Sequence, residues 1–522
     1  MDAPRLPERS DLEQLKRQAK ELLRAAKARN ADALARFRSL PAYVDQLDDD
    51  ELVASVALHD AHSVIARELG FPSWKALVEH VEESTLEFDV AVDQFIEAAT
   101  EVQVGRAQRL LELYPRIAGA SFHTALVLGD AARVESYLAQ RPSLATEVGG
   151  PRAWPSLLYL CHTTRSDGLV ACARLLLERG ADPNSRFPWL HHGVHRAALW
   201  GAVCVTGLLP LAAALLEAGA DPNDGVTLPI AASGGDIAAL ELLHAHGANV
   251  NQPWATDGSL TLYAIMNWSD TPDGVRWLLD HGADPDPVWL SNGETPLHVA
   301  ARRWTVEMVS ELVNRGADAT RRRADGRTPY AIAALAGNDA AADWLARRGA
   351  ATELSDVDRF VAACSRGDWD AARELQRARP GLRAELGPEH YAAFMRAAER
   401  GDARALETML ACGFDPNHGD DEIGKTALHA ASMEGWVDAV RVLLAHGASV
   451  DTRDREFHAQ ALVWAAEGSR SHGGDGRDHS AVGRLLLNAG SPVSWEPGAE
   501  PSETILEVIS EWQRDASAGA VT

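Results

Sequence analysis

A short phrase made of an aliphatic run, a glycine and a few small or polar residues recurs through most of this 522-residue chain. Clear copies read LLLERGADPN, ending at Asn184, and WLLDHGADPD, ending at Asp286. Self-similarity at a fixed period is the signature of a repeat protein, in which each unit buries its apolar face only against its neighbours. The glycines of the phrase stand at positions 180, 219, 247, 282, 316, 349, 413, 447 and 490.

Each unit has the pattern of two short helices. In the unit that begins at Thr295, aliphatic residues follow helical spacing in the second half, and Gly316 suits the left-handed cap that ends a helix. Asn292-Gly293 and Asp325-Gly326 lie between units and suit tight turns. The spacing therefore predicts helix-turn-helix units joined by short hairpin fingers.

A second phrase opens several units in phase with the first. It reads TPLHVAA at Thr295–Ala301, with a related copy at Thr426–Ala431 and a partial one at Thr328–Ala331. With a period near 33 residues, these two phrases make the chain resemble ankyrin-repeat proteins from about Phe88 to Val493. The resemblance implies an all-α ankyrin-repeat solenoid of about twelve helix pairs with an extended concave surface. We expect degenerate pairs at about 88–117, 121–144 and 355–382.

The flanking segments have a different pattern. Ser10-Asp-Leu-Glu13 reads as a capping box before an apolar helical stripe, and further helices are expected at about 50–69 and 73–83. This leader resembles the segment ahead of ankyrin arrays in bacterial proteins, which implies a bacterial origin. The predicted domains are an N-terminal helical domain (1–84), a first array (85–350), a second, partly degenerate array (351–495), and a C-terminal capping helix and tail (496–522).

Charge and cysteine content restrict the function classes. The net charge of −25 repels nucleic-acid phosphates and anionic lipids, so we expect no nucleic-acid or membrane partner. Five cysteines without a C-x-x-C motif read as reduced core thiols, and no signal peptide is recognisable, which together predict a cytoplasmic protein. The charge-free run 197–216 reads as two short buried helices with a turn near Thr206-Gly207 rather than a membrane span.

Tryptophan placement is the feature that most suggests a binding surface. Trp154, Trp189, Trp254 and Trp289 each lie in the finger just before the first helix of a unit. Aromatic anchors with convergent polar groups are typical of interaction hot spots and of ligand pockets. The candidate binding residues are Trp154, Tyr159, His162, Trp189, His191, His192, His195, Trp254, Asn267, Trp268, Trp289, Arg302 and Arg303.

Several features have a structural alternative. The finger tryptophans could instead fold back as packing, since tryptophan is highly buried on average. His298 and His429 belong to the TPLH phrase, where the imidazole is expected to bind loop backbone. No carboxylate or thiol lies at matching spacing beside His191, His192 and His195, so we expect no metal and no cofactor. The insertion 469–479 reads as a surface loop.

The chain contains no phosphate-binding G-x-x-x-x-G-K-[ST], no H-E-x-x-H and no G-x-S-x-G, which favours a protein without catalytic activity. We expect a protein–protein recognition scaffold that binds a polypeptide, basic or aromatic-rich, in the groove of the repeats at about 150–305. The alternative is a small-molecule-binding or enzymatic protein that uses an aromatic and histidine-lined pocket in the same groove. In that case His162, His191, His192 or His195 would act as acid, base or ligand.

Overall fold

Short α-helices, each followed by a tight turn, dominate the computed structural model of this chain, as the repeat pattern predicts. The structure describes residues 12–40, 48–101, 103–163, 168–188, 194–471, 474, 476–494 and 502–519. The all-α fold class is confirmed. The chain divides into two compact units, Met1–Thr261 and Leu262–Thr522. The predicted domain boundaries near residues 84, 350 and 495 stay predictions.

The described part of the first unit begins with five helices that share a core of leucine, alanine and valine side chains. The single helix expected at 50–69 is two helices, because Val56 and Ala57 are extended and the Asp60 carboxylate accepts the Ala57 N–H at 2.8 Å, which starts a new helix. The predicted capping box at Ser10 lies outside the described residues. The five helices are α1 (Leu12–Lys27), α2 (Ala31–Phe37), α3 (Asp49–Ser55), α4 (Leu58–Glu68) and α5 (Trp74–Ser84).

Five helix pairs follow in the described residues of the first unit, and two of their fingers form antiparallel hairpins. The hairpins are β1 (Val148–Gly149) with β2 (Trp154–Pro155) and β3 (Arg186–Pro188) with β4 (His195–Ala197). The helices are α6 (Phe88–Thr100), α7 (Val104–Leu113), α8 (Phe122–Leu128), α9 (Ala131–Gln140), α10 (Ser156–Cys161), α11 (Leu169–Leu177), α12 (Ala198–Trp200), α13 (Leu209–Glu217), α14 (Thr227–Gly234) and α15 (Ile237–Ala245).

The charge-free run 197–216 forms two short helices, as expected. α12 continues into a π-helical turn, Gly201–Val205, and the chain turns at Thr206–Leu208 before α13. Gly201 is required there, since a Cβ atom would lie 2.5 Å from the carbonyl oxygen of Cys161. Among the described residues, no helix combines the length and the apolar character that a bilayer-spanning segment needs.

The second unit, as far as the structure describes it, contains seven helix pairs and a final helix. Its core continues through the degenerate stretch, because Leu335, Phe360 and Phe394 belong to one buried cluster. The helices are α16 (Thr261–Trp268), α17 (Pro272–Asp280), α18 (Pro296–Arg303), α19 (Val306–Asn314), α20 (Pro329–Leu335), α21 (Asp339–Arg347), α22 (Asp356–Ser365), α23 (Trp369–Ala378), α24 (Pro388–Glu399), α25 (Ala403–Ala411), α26 (Ala427–Glu434), α27 (Val437–Ala445), α28 (Ala461–Ser471), α29 (His479–Asn488) and α30 (Glu503–Gly519).

The asparagine of the GADPN phrase joins consecutive repeats. In the first unit, Asn184 donates from Nδ2 to the Gly219 carbonyl at 3.0 Å and accepts the Asp221 N–H at 2.8 Å. Asn417 makes the same pair of bonds in the second unit, to the carbonyl of Gly447 and the N–H of Ser449. The phrase therefore satisfies backbone groups of the next turn as well as ending a helix.

The last helix packs against the final helix pair of the second unit. Ile505, Val508 and Ile509 of α30 are buried in the core of the second unit, and the Trp512 Nε1–H donates to Asn488 Oδ1 at 3.0 Å. The insertion expected as a surface loop is partly helical: α28 extends to Ser471, α29 starts at His479, and residues 472, 473 and 475 lie outside the described residues.

This packing predicts that one side chain of α30 stabilises the terminal repeats. Ile505→Ala removes a side chain without exposed surface and should lower the free energy of unfolding by roughly 2–4 kcal/mol. Leu506→Ala, at a position 45% exposed on the same helix, should change it by less than about 1 kcal/mol. Urea-induced unfolding followed by circular dichroism measures both, and equal losses would show that α30 does not seal the core.

Candidate functional site

The second unit contains a cavity of about 1030 Å³ beside the ends of its first helices. Its wall comes from α16, α18, α20, α24 and α26 and from the finger before α26. A cavity of this size is comparable with those that bury ligands or peptide side chains. It is lined by Asn267, Trp268, Asp270, Arg302, Arg303, Trp304, Thr305, Ala336, Gly337, Asn338, Ala392, Met395, Arg396, Glu399, Arg400, Asp420, Glu422, Lys425 and Glu434.

Four of the predicted binding residues meet in this cavity. Trp268, at the end of α16, is 43% exposed, and Asn267 accepts a hydrogen bond from Arg302 Nη2 at 3.1 Å. Arg303 donates to the Asn267 carbonyl and pairs with Asp270. Two neighbouring first helices therefore present an exposed indole beside two guanidinium groups, the combination that is enriched at interaction hot spots.

Trp289, also predicted, packs against α16 and its own finger. Its ring stacks on Tyr263 of α16 with centroids 5.8 Å apart, and its backbone N–H donates to the Glu294 carbonyl at 2.7 Å. The Tyr263 hydroxyl donates to Glu294 Oε2 at 3.0 Å, and burial next to that carboxylate raises the pKa of Tyr263. Trp289 thereby holds Tyr263 and Glu294 in place beside the cavity.

A buried chain of alternating charges runs behind the cavity wall. Arg302 pairs with Glu294 at 2.7 Å, and Arg323 bridges Glu294 at 3.0 Å to Glu389 at 2.8 Å. Glu389 also accepts from Arg396 Nη2 at 3.2 Å. Burial alone would raise the pKa of each glutamate, but the neighbouring arginines outweigh it and lower both values.

Both carboxylates of this chain therefore stay ionised when the protein is folded. Arg396 is the last residue of this chain of charges. Its Nε atom is buried and has no hydrogen-bond partner among the described residues. Burial lowers the pKa of Arg396 to about 10, so its guanidinium remains charged at neutral pH. The chain of charges thus begins and ends with an arginine, Arg302 and Arg396, and both of these residues line the cavity.

A side branch joins this chain of charges to the degenerate repeat formed by α22 and α23. Asp325 contacts both Arg323 and Arg327, and Arg327 donates to Asp358 at 2.8 Å. His390 accepts the Gly387 N–H on Nδ1, and its Nε2 atom lies 2.9 Å from Asp358 Oδ1 and 3.0 Å from Arg327 Nη2. Burial would raise the pKa of Asp358, but the bonds from His390 and Arg327 lower it to about 2.

The shortened links around α22 make these contacts possible. Residues 348–355 connect α21 to α22 without a finger, whereas residues 315–328 form a full finger before α20. The finger arginines Arg323 and Arg327 therefore contact Glu389 and His390 of α24 directly. The degenerate repeat brings together residues that a regular finger would separate.

Sequence reasoning missed Glu389, although a signal for it exists. Residues 387–393 read GPEHYAA and align with TPLHVAA at 295–301, so that Glu389 occupies the position of Leu297. Leu297 has no exposed surface. A carboxylate at a position that is apolar and buried in another repeat requires a compensating cation, and this requirement points to an ion-pair network.

In the first unit, the predicted residues Trp154, Tyr159 and His162 form an aromatic cluster. Trp154 stacks on Phe187 with centroids 4.5 Å apart and lies 5.3 Å from the His162 ring. Tyr159 is fully buried and donates to the Gly149 carbonyl at 2.7 Å. His162 is also buried, which lowers its pKa to about 4. In this conformation Tyr159 and His162 have packing roles.

The other predicted residues of the first unit are separate from that cluster or lie outside the described residues. Trp254 is half-buried and packs with Val194, Trp200 and Val226, and His195 is exposed on β4. Trp189, His191 and His192 lie outside the described residues. Among the residues that the structure does describe, no group of three or more metal-ligating side chains could hold an ion.

His298 and His429 have the structural roles expected of the TPLH phrase. The Thr295 N–H donates to His298 Nδ1 at 3.2 Å, so the neutral ring donates from Nε2 to the Arg327 carbonyl at 3.3 Å. His429 binds Thr426 and the carbonyl groups of Thr452 and Ala459 in the same way. Each histidine caps its own helix and fixes the next finger.

Comparison with known proteins gives the same class. A family model described as ankyrin repeats (3 copies) matches residues 261–356 and 394–492. Protein PhlB from Serratia liquefaciens is 35% identical over 164 residues, which cover 30% of this chain and 70% of PhlB. Ankyrin repeat and SOCS box protein 11 from Danio rerio is 39% identical over 100 residues, 19% of this chain and 32% of that protein. The E3 ubiquitin-protein ligase KEG from Arabidopsis thaliana is 28% identical over 234 residues, 44% of this chain and 13% of KEG.

Stacked helix pairs, fingers and Thr-x-x-His caps define a helical-repeat protein. The chain belongs to the ankyrin-repeat family. Its repeats indicate a scaffold for protein–protein interaction. The chain spans less than a third of the length of several curated relatives that it matches, so the activities of those whole proteins do not transfer to it.

The buried histidine predicts an acid-sensitive fold. Burial lowers the pKa of His298 from 6.5 to about 4, so the stability that it contributes is complete above pH 6.5 and is lost as the pH falls towards 4. His298→Gln should lower stability at pH 7.5 but reduce the further decline between pH 7.5 and 5 by about 2 kcal/mol. Urea unfolding at the two pH values measures this difference.

His195→Gln is the matched control, because the His195 side chain is exposed. Its decline between the two pH values should equal that of the unsubstituted protein. A decline in His298→Gln as steep as that of the control would contradict the role given to the buried imidazole.

Proposed function

We propose that this protein is a non-catalytic recognition scaffold that binds a polypeptide in the groove along the first helices of its repeats. The observation that carries the proposal is the cavity of about 1030 Å³ in the second unit, which is lined by residues at the ends of five first helices, in the turns that follow them and in one finger. Its length across several repeats suits an extended segment with several side chains. Family membership supports the same function class.

This proposal moves the binding groove from the predicted range of about 150–305 to residues 267–434 of the second unit. Asn267, Trp268, Arg302 and Arg303 are its contact residues, because they line the cavity. Trp289 supports the wall through Tyr263. In the first unit, Trp154 and Trp254 keep partly exposed surface and remain candidates for a second contact region.

Two features of the sequence complete the proposal. A cytoplasmic location is supported by the five cysteines, all of which are free thiols. A bacterial origin is supported by the leader segment and by the similarity to PhlB of Serratia liquefaciens.

The exposed indole of Trp268 provides the test. Peptides selected from a random display library on the immobilised full-length protein are synthesised, and their affinity is measured by fluorescence anisotropy. Trp268→Ala should weaken binding roughly tenfold or more, because a central tryptophan of an interface contributes about 2 kcal/mol or more. Thermal stability should change little, since the side chain is 43% exposed.

Trp369→Ala is the control, because Trp369 is 38% exposed on the second helix α23 and does not line the cavity. It should bind the selected peptides like the unsubstituted protein. Failure to select any peptide, or equal affinity of the Trp268 and Trp369 variants, would overturn the proposal.

A further inference from the structure

We infer that the arginine-rich end of the cavity in the second unit binds a carboxylate of the partner polypeptide, supplied by an aspartate or glutamate side chain or by the C-terminus. This inference rests on the proposed function and adds the chemistry of the partner. It concerns the part of the wall formed by Arg302, Arg303, Arg396 and Arg400.

Arg400 supplies the uncompensated charge. It is the residue that directly follows α24, and its exposed side chain has no hydrogen bond or ion pair among the described residues. The other cations of the lining have carboxylate partners: Arg303 pairs with Asp270, and Lys425 pairs with Glu399 at 3.0 Å. One positive charge at this end of the cavity is therefore available to an incoming anion.

The ends of the buried charge chain supply hydrogen-bond donors. Arg302 and Arg396 are fixed by Glu294 and Glu389, so their positions are set before a partner binds. Both residues line the cavity. A carboxylate that accepts hydrogen bonds from their guanidinium groups would bind favourably, because charge-assisted hydrogen bonds are strong and preorganised groups lose little entropy.

The charge balance favours a carboxylate over a phosphate group. The buried chain and its branch contain Arg302, Arg323, Arg327 and Arg396 against Glu294, Asp325, Asp358 and Glu389, so that this network is neutral as a whole. Within the described lining, Arg400 alone remains as an excess cation, which matches a group with one negative charge. A dianion would also face Asp270 and Glu399 on the same wall.

The lining also contains acidic side chains. Asp420 and Glu422 belong to it, and neither has an ion pair among the described residues. A basic residue of the partner fits beside these two carboxylates. The net charge of −25 influences the long-range approach of the partner. The arginines of the lining determine which chemical group of the partner binds there.

Charge reversal at Arg400 tests the inference with the full-length protein. Peptides from the library selection should be enriched in aspartate or glutamate or should require a free C-terminus. Arg400→Glu should weaken their binding at least roughly tenfold, and a peptide in which lysine replaces the acidic residue should bind this variant better than it binds the unsubstituted protein.

Arg366→Glu is a closely matched control. Arg366 ends α22 with nearly the same backbone conformation as Arg400 at the end of α24, it is exposed, and it does not line the cavity. This variant should retain the affinity of the unsubstituted protein. The peptide arms distinguish the source of the carboxylate, because C-terminal amidation abolishes binding through the terminus and asparagine or glutamine substitution abolishes binding through a side chain.

Selected peptides that lack acidic groups and tolerate amidation, or that bind only when phosphorylated, would overturn the carboxylate site. Equal losses in Arg400→Glu and Arg366→Glu would also overturn it, since the effect would then be one of overall charge. In each of these cases, binding that still depends on Trp268 would support the proposed function as a recognition scaffold. A failure to select any peptide would overturn both proposals.

Discussion

Each helix pair of this protein can bury its apolar side chains only against the next pair, and the stack depends on that contact. The degenerate repeat formed by α22 and α23 shows that this stacking requires neither a finger nor the two repeat phrases. It lacks the finger and both repeat phrases, yet Phe360, Val361 and Cys364 remain in the same buried cluster as Leu335 and Phe394. Stacking therefore continues wherever the buried positions stay apolar, and the exposed parts of a repeat are free to change.

The candidate site arises from such a change. Without a finger before α22 or α24, Arg323 and Arg327 of the finger before α20 contact residues of α24, two helix pairs further along the stack. Glu389 then occupies a core position whose carboxylate needs cations on both sides. The absence of these two fingers thus allows a buried charge network to form, and that network fixes the arginines at the cavity wall.

Local patterns predicted the fold because each element depends on short-range rules. Glycine ends the helices, Thr-x-x-His caps them, and aliphatic spacing identifies the second helix of each pair. The site was predictable only in part. Asn267, Trp268, Arg302 and Arg303 follow from their alignment on the first helices. Arg396 and Arg400 do not, because their approach to Arg302 depends on two missing fingers and on contacts between repeats distant in sequence.

A buried ion network is weak evidence for stability, since desolvation of the charges offsets most of their attraction. Apolar residues at these positions, as Leu297 shows for the position of Glu389, would pack at least as well. The network does something that apolar packing cannot do: it holds the guanidinium groups of Arg302 and Arg396 oriented at the cavity before a partner binds. Recognition of an anionic group explains this arrangement, because an anion is the kind of group that Arg302, Arg396 and the exposed Arg400 would all bind.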